Sequence, residues 1–320
     1  FGGLTLNGGG STMQGLDISS SSGYALSLSS AGGNDIFSNR ISGILISSQD
    51  NTINDNEISN SVTHGIWLES GATNNQIGNL IGNEIINNTG FGFVINNATD
   101  DIITNNEIRL NGTGGISIID GTANINANSI NDNTGDGIVL TTANSNAVSQ
   151  NTISGNTGNG LTINGDNNVV SKNMFVNNDG LGLSVTGGSG NQFINDTLTI
   201  NKLGGAEIVS SNVTMSGNLV TGNLNFGISL ASDNNSISEN SISGNANHGM
   251  LINGNSNVIN YNTINDNGAS GNGAGVFVET GNDNTILYNS IYNNTVLGIE
   301  LAPSANGSVT YPTLTTVYSW

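Results

Sequence analysis

The feature that most constrains this chain is a short motif, a glycine followed by apolar, variable and apolar residues, that recurs along the sequence. It reads Gly137-Ile138-Val139-Leu140 and then Gly160-Leu161-Thr162-Ile163, and most copies lie about 22 or 23 residues apart. The glycines of the successive copies are Gly43, Gly65, Gly92, Gly115, Gly137, Gly160, Gly182, Gly205, Gly227, Gly249, Gly275 and Gly298. Because self-similarity at a fixed period marks repeat architectures, the sequence predicts one solenoid rather than two ordinary domains.

Each repeat also contains two segments of the form asparagine, variable, apolar, about five residues apart. Asn146-Ala147-Val148 and Asn151-Thr152-Ile153 are one such pair. Period-two alternation places the outer residues of each triplet on one face, as in a β-strand. Glycine or asparagine interrupts every run, which excludes helices almost everywhere. Stacked coils of three short strands supply parallel pairing without long crossovers, so the sequence predicts an all-β, single-stranded parallel β-helix of about 13 or 14 coils.

The asparagines recur in columns of their own. One column contains Asn106, Asn128 and Asn151, and a second contains Asn133 and Asn156. Asparagine tolerates the left-handed backbone region and bonds its own backbone in turns, which suits a sharp corner. Amides stacked at about 4.8 Å can also hydrogen-bond along the axis as a ladder. The asparagine richness is therefore interpreted as structural.

This pattern resembles the right-handed parallel β-helix repeats of the pectate-lyase-like superfamily, of the carbohydrate-binding and sugar-hydrolysis type. The resemblance covers residues 4–301 and implies a right-handed coil. We predict a parallel β-helix over residues 1–307 and a C-terminal tail or cap over 308–320. The superfamily includes lyases, hydrolases, epimerases, adhesins and accessory surface proteins, so the resemblance does not by itself choose a function.

Charge and composition limit the classes of binding partner that are expected. Four Lys and Arg residues stand against 23 Asp and Glu, which gives a formal net charge of -19. No basic patch is available to neutralise phosphates, so nucleic acid is not an expected partner. No apolar stretch approaches the roughly 18 residues that span a bilayer, so membrane insertion is not expected either. An acidic, lysine-poor chain without cysteine is predicted to be extracellular or on the cell surface.

A search for catalytic groups finds no complete constellation. Superfamily members that cleave polyuronates imply a calcium cluster with a basic residue, or paired aspartates with a histidine and a basic clamp. The basic residues of this chain, Arg40, Arg109, Lys172 and Lys202, are dispersed along it. His64 and His248 share a column but lie about eight coils, or about 38 Å, apart. The interpretation leans towards a protein that is not an enzyme.

One column of carboxylates is a candidate metal site. Glu57, Glu84 and Glu107 occupy the middle position of the same strand in successive coils, with Arg40 at that position one coil earlier and Arg109 one residue further along the last strand. Like charges about 5 Å apart are unfavourable unless they are exposed, screened or bridged by a cation. The column is either a solvated acidic ladder or a weak Ca²⁺ site, and no other cofactor is expected.

Aromatic residues offer a binding surface instead. Tyr261 and Tyr288 fall at the same repeat position, so their rings are expected to stack between adjacent coils. Exposed rings of this kind can lie against sugars or a partner protein. The residues predicted to contact a glycan or a partner are Trp67, Tyr261, Phe277, Tyr288 and Tyr292.

Three functions remain open. The favoured expectation is a non-catalytic structural or surface protein, such as a filament or matrix subunit. Its copies would meet end to end through the apolar C-terminal tail, whose last residue is Trp320. The alternatives are a polysaccharide lyase or hydrolase of the β-helix superfamily and a carbohydrate-binding module, both of which make polysaccharide the partner.

Overall fold

A computed structural model describes residues 3–308 as a parallel β-helix of 14 coils. Each coil contributes one strand to each of three parallel sheets, except the last described coil, which adds a strand to one sheet only, so the sheets have 14, 13 and 13 strands. Every strand inside a sheet pairs with its equivalent one coil before and one coil after. The predicted all-β fold and coil number are confirmed. The predicted tail of residues 308–320 lies outside the described residues except for Ser308, which ends a short 3-10 turn, Ala305–Ser308.

Sheet 1 is built from the glycine-apolar motifs. Its strands are Leu4–Leu6, Leu26–Leu28, Ile44–Ile46, Ile66–Leu68, Phe91–Asn96, Gly114–Ile119, Ile138–Thr141, Leu161–Asn164, Leu181–Gly187, Gly204–Ile208, Phe226–Leu230, Met250–Ile252, Val276–Val278 and Ile299–Leu301.

Sheets 2 and 3 are built from the two asparagine motifs of each coil. The strands of sheet 2 are Thr12–Gln14, Asp35–Phe37, Thr52–Asn54, Gln76–Ile77, Asp101–Thr104, Ala123–Asn126, Ala147–Ser149, Val169–Ser171, Gln192–Ile194, Thr214–Ser216, Ser236–Ser238, Val258–Asn260 and Thr285–Leu287. Those of sheet 3 are Asp17–Ile18, Arg40–Ile41, Glu57–Ser59, Glu84–Ile86, Glu107–Arg109, Ser129–Asn131, Thr152–Ser154, Met174–Val176, Thr197–Thr199, Leu219–Thr221, Ser241–Ser243, Thr263–Asn265 and Ser290–Tyr292.

The core is one continuous column of aliphatic side chains inside the coil. Ile138, Leu140, Val148 and Ile153, which alternation predicts to point inward, are all fully buried. Each coil inside the rod adds four or more buried hydrophobic residues, whereas the coils at the two ends add fewer. Burial of one such side chain contributes about 1.5–3 kcal/mol. The alternation therefore sets both the strand and the face that it buries. None of the described helical segments is long and apolar enough to cross a membrane.

The asparagine ladders are present along most of the rod. Asn128, for example, donates to the Oδ1 of Asn151 from its backbone N at 2.9 Å and from its Nδ2 at 3.0 Å. The two predicted columns flank sheet 3. A third ladder, which the sequence analysis missed, precedes sheet 2 and includes Asn146, Asn168 and Asn191.

Two aspartates replace asparagine in these ladders. Asp101 and Asp196 each accept two hydrogen bonds at Oδ1 from the preceding asparagine, while Oδ2 is buried without a hydrogen-bond partner. Burial raises the pKa of both carboxyls to about 7. A carboxylate oxygen is thus held where an asparagine of the ladder would present an amide donor.

Candidate functional site

The residues predicted to bind a glycan or partner divide between two surfaces. Trp67 and Phe277 lie on the outer face of sheet 1, in the middle of Ile66–Leu68 and Val276–Val278. Tyr261 and Tyr288 lie at the corner between sheets 2 and 3, and Tyr292 ends a strand of sheet 3. The sequence placed these five residues in one class, but the coil separates them into two sites.

An aromatic cluster covers the outer face of sheet 1 near its N-terminal end. The rings of His64 and Trp67 are 5.0 Å apart, His64 stacks on Phe91 at 6.2 Å, and Tyr24 meets Trp67 edge-on at 6.4 Å. We call these four residues the His64 cluster. They come from three coils, and all four side chains are half-buried.

The turn at Gly43 allows Tyr24 to join this cluster. Tyr24 lies two coils before Trp67, and in the coil between them Gly43 occupies the position equivalent to Ala25 and Gly65, next to the ring of Tyr24. A Cβ on Gly43 would meet Tyr24 Cδ1 at 3.1 Å and Ser61 Oγ at 2.6 Å, and the backbone there has a φ of +92°. Only glycine accepts both the conformation and the close approach. The ring of Tyr24 therefore packs against a position of the next coil that has no side chain.

His64 is held in one tautomer. Its Nδ1 accepts a hydrogen bond from the backbone N of Phe91 at 2.9 Å, so Nδ1 carries no proton. Burial lowers the pKa of His64, so the ring is neutral at pH 7 and the proton resides on Nε2. This histidine presents a hydrogen-bond donor rather than a general base.

Two more donors of the His64 cluster lack partners. Trp67 Nε1 and Tyr24 Oη are buried atoms without a hydrogen-bond partner in the described part of the chain. Burial raises the pKa of Tyr24 to about 12, so its hydroxyl remains protonated. Because both atoms are buried, a ligand on the outer face does not reach them, and the donor that the cluster can offer is His64 Nε2.

A second cluster repeats part of this arrangement eight coils later. His248 occupies the same place before its repeat glycine, its Nδ1 accepts from the backbone N of Ala274 at 3.1 Å, and its ring stacks on Phe277 at 4.9 Å. Burial lowers the pKa of His248, although Glu300 and Glu279 oppose that shift. Sequence reasoning identified the shared histidine column but assigned it to turns. The longer steps after Gly65 and Gly249 were the available signal that these two coils differ.

The predicted carboxylate column forms as expected, with Glu84 in register with both Glu57 and Glu107. Arginines fill the spaces beside it. Arg109 lies 2.5 Å from Glu84 Oε1 through Nη2 and 2.8 Å from Glu107 Oε1 through Nε, while Arg40 Nη2 lies 2.9 Å from Glu57 Oε2. An open groove of about 530 Å³ borders Arg40, Glu57 and Glu84. The Ca²⁺ site stays a prediction, and the structure gives each of these carboxylates a cationic partner.

The tyrosine pair stacks as predicted. The rings of Tyr261 and Tyr288 are 5.3 Å apart with planes inclined by 13°, and the two residues are 58% and 74% exposed. Both occupy left-handed backbone positions, with φ of 56° and 60°. A bulky residue at positive φ is strained, which adds to the cost of exposing the rings.

Asp136, which lies between the two clusters on the same edge of sheet 1, has no free oxygen for acid–base work. Its Oδ1 accepts from the backbone N of Asn159 at 2.7 Å, and its Oδ2 accepts from Thr162 Oγ1 at 2.6 Å. Both carboxylate oxygens thus join neighbouring coils. We interpret Asp136 as a structural carboxylate.

Comparison with known families identifies the class. The family model described as a right-handed β-helix region matches residues 74–212, 137–272 and 204–317, which together span more than half of the chain. The chain therefore belongs to the right-handed β-helix family. A second model, described as a periplasmic copper-binding protein (NosD), matches residues 2–126. None of the curated protein sequences compared with the chain matches it.

The residues of this chain do not fit a copper site. Copper prefers cysteine, methionine and histidine ligands. The matched segment contains no cysteine, its one methionine, Met13, is buried in the core, and its one histidine, His64, already uses Nδ1. Over residues 3–308 no group of three or more His, Cys, Asp or Glu side chains could hold a metal ion.

Solved structures share the fold at low sequence identity. A double mutant of the periplasmic alginate epimerase AlgG superposes with a TM-score of 0.66 and 15% identity, over 87% of this chain and 77% of that one. The Azotobacter vinelandii mannuronan C-5 epimerase AlgE6 A-module superposes with a TM-score of 0.56 and 16% identity, over 94% of this chain and 91% of that one. DFA-IIIase from Arthrobacter chlorophenolicus A6 superposes with a TM-score of 0.51 and 11% identity, over 85% of this chain and 82% of that one. The likeness is one of fold.

Proposed function

We propose that this chain binds a polysaccharide along the outer face of sheet 1, outside the cytoplasm. The observation that carries the proposal is the His64 cluster, in which half-buried aromatic rings on the outer face of sheet 1 lie beside the Nε2 donor of His64. Sugar rings offer C–H faces for aromatic stacking and hydroxyl oxygens for such donors. The structural neighbours whose names describe alginate epimerases, and the periplasmic description of the NosD family, support a carbohydrate-related role and that location.

The geometry favours binding over catalysis. The two histidines are eight coils apart, each has Nδ1 occupied by a backbone donor, and Asp136 is fully engaged. A general base must reach the proton that it removes, and neither histidine offers a free lone pair for that task. The polysaccharide lyase or hydrolase alternative therefore has less support than the binding alternative.

A filament or matrix role with end-to-end contacts stays a prediction. The apolar tail on which it depends lies outside the described residues. A surface or matrix protein that binds glycan is compatible with both expectations, and the carbohydrate-related neighbours favour the glycan part.

The test is a binding assay with a panel of soluble polysaccharides and the Trp67→Ala variant. We expect at least one polymer to bind, and Trp67→Ala to weaken that binding tenfold or more, because it removes the aromatic ring on which a sugar stacks. Met174→Ala, which truncates an exposed side chain on sheet 3, serves as the control and should bind as the natural chain does. Tyr288→Ala probes the other aromatic surface. If Tyr288→Ala loses binding while Trp67→Ala keeps it, the ligand lies at the corner and the proposal is wrong.

A further inference from the structure

We infer that the ligand of the sheet 1 face is an uncharged polysaccharide and that this face rejects polyuronates. The inference rests on the proposed function and specifies the chemical class of its ligand. It separates this chain from the structural neighbours whose names describe alginate epimerases, because it depends on charges that belong to this sequence.

The sheet 1 face carries carboxylates along its length. Glu207 lies in the middle of a strand between Ser184 and Ser229 of the adjacent coils, and Glu300 lies beside Phe277 in the last described coil. Glu69 and Glu279 are exposed residues that directly follow the strands of Trp67 and Phe277. Carboxylates therefore flank both aromatic clusters and also lie between them.

No cation of the chain is placed to balance them. The whole sequence contains four Lys and Arg residues. Arg40 and Arg109 lie on sheet 3 against glutamates, and Lys172 lies at the corner between sheets 2 and 3. Lys202 lies on the turn that leads from sheet 3, and its Nζ is 2.6 Å from Asp179 Oδ1.

The histidines do not supply positive charge either. Burial lowers the pKa of both His64 and His248, and each Nδ1 accepts a backbone hydrogen bond that a protonated ring could not accept. Glu279 and Glu300 face His248 from the strands packed beside it. Over residues 3–308 the sheet 1 face is thus anionic at neutral pH, without a compensating charge.

A polyuronate carries a carboxylate on every sugar. Laid along this face, those charges would lie within a Debye length, about 8 Å, of Glu69, Glu207 and Glu300, where salt does not screen them fully. Like charges placed together at an interface disfavour binding. An uncharged sugar avoids this repulsion and still uses the Trp67 ring and the His64 Nε2 donor.

The test compares uncharged polymers (a soluble β-glucan, a mannan and an arabinoxylan) with alginate and polygalacturonate. Binding is measured with the intact chain at low and high salt, in EDTA and with Ca²⁺. We expect an uncharged polymer to bind with an affinity that does not change with salt, and both uronates to bind at least a hundredfold more weakly. Trp67→Ala should weaken binding of the uncharged polymer tenfold or more, and that loss would place the polymer on the sheet 1 face.

A charge-reversal variant keeps the inference falsifiable. Glu207→Lys places one cation midway along the face and should raise alginate binding severalfold, whereas the same change at the distant Glu239, Glu239→Lys, should not. Uronate binding comparable to that of the uncharged polymers, lost in Trp67→Ala, would overturn the inference but leave the proposed function standing. Binding of neither class would overturn the proposed function itself.

Discussion

Replacing Asp196 with asparagine should remove a pH-dependent weakness from the middle of the rod. Asp196 is 2% exposed, and its Oδ1 accepts from the backbone N of Asn173 at 2.7 Å and from its Nδ2 at 2.9 Å. The next ladder oxygen, Asn218 Oδ1, accepts from the backbone N of Asp196 at 2.8 Å. In other coils an asparagine Nδ2 also donates to that next oxygen, but Asp196 Oδ2 has nothing to donate when it is ionised.

The magnitude follows from the pKa. Burial raises the pKa of Asp196 from 3.8 to about 7. Below pH 3.8 the carboxyl is protonated in both the folded and the unfolded chain. Between that value and about pH 7 only the folded chain retains the proton, so rising pH favours unfolding. Above about pH 7 both states are ionised and the loss is complete. A difference of about three pH units at about 1.4 kcal/mol each gives about 4 kcal/mol of lost stability.

The assay is urea unfolding from pH 4 to pH 8, combined with hydrogen exchange of the amides in the coils around Asp196. Exchange is needed because a solenoid is stabilised by neighbour contacts and need not unfold as one unit. We expect Asp196→Asn to match the natural chain near pH 4 and to exceed its stability by up to about 4 kcal/mol at pH 8. The Nδ2 of the new asparagine would donate to Asn218 Oδ1 as the rest of the ladder does.

Asp101→Asn is the matched comparison. Asp101 is fully buried and the pKa of its carboxyl is also raised to about 7, but Ala123 follows it in the ladder and offers no side-chain oxygen. The new amide would gain fewer partners, so we expect a smaller gain at pH 8 than for Asp196→Asn. An Asp196→Asn variant that is less stable than the natural chain at pH 8, or whose advantage over the natural chain does not grow from pH 4 to pH 8, would refute the reasoning.

Three further predictions follow from the core, the charges and the absence of a free base. Ile138→Asp should lower the free energy of unfolding by several kcal/mol, because it buries an unpaired charge, and an unchanged Tm would contradict the assigned inward face. Arg109→Ala should cost about 1 kcal/mol or less, because its partners Glu84 and Glu107 are partly exposed. The same variant leaves the glutamates unbridged, so Ca²⁺ should raise the Tm of Arg109→Ala and leave that of the natural chain unchanged. A Ca²⁺-dependent rise in the natural chain would show that calcium displaces the arginines. Finally, alginate and polygalacturonate should yield no unsaturated products with or without Ca²⁺, as judged by ultraviolet absorbance, and a steady increase in absorbance would establish a lyase.

Much of this fold is determined by the sequence because the signal is repeated in every coil. Alternation identifies Ile138 and Ile153 as inward, and the fixed period aligns each residue with its equivalent in the next coil. Residues at the same repeat position become neighbours along the axis. The repeat alignment alone therefore predicts that Glu57, Glu84 and Glu107 are stacked, and that Tyr261 and Tyr288 are stacked. Wherever a site lies within one column, the sequence predicts it.

The tertiary structure decided what lies between columns. Tyr24, His64 and Phe91 share one repeat position, but the His64 cluster joins them to Trp67, which belongs to another column, and Tyr24 lies two coils away from Trp67. The period aligns each column separately and does not show that rings of two columns meet. The raised pKa of Asp196 is likewise not predictable from the repeat, because aspartate fits the same ladder position as asparagine. The shift arises only when burial removes the water that would stabilise the charge. Periodic positions thus follow from the repeat alone, while contacts between turns and the electrostatics of buried groups depend on the folded coil.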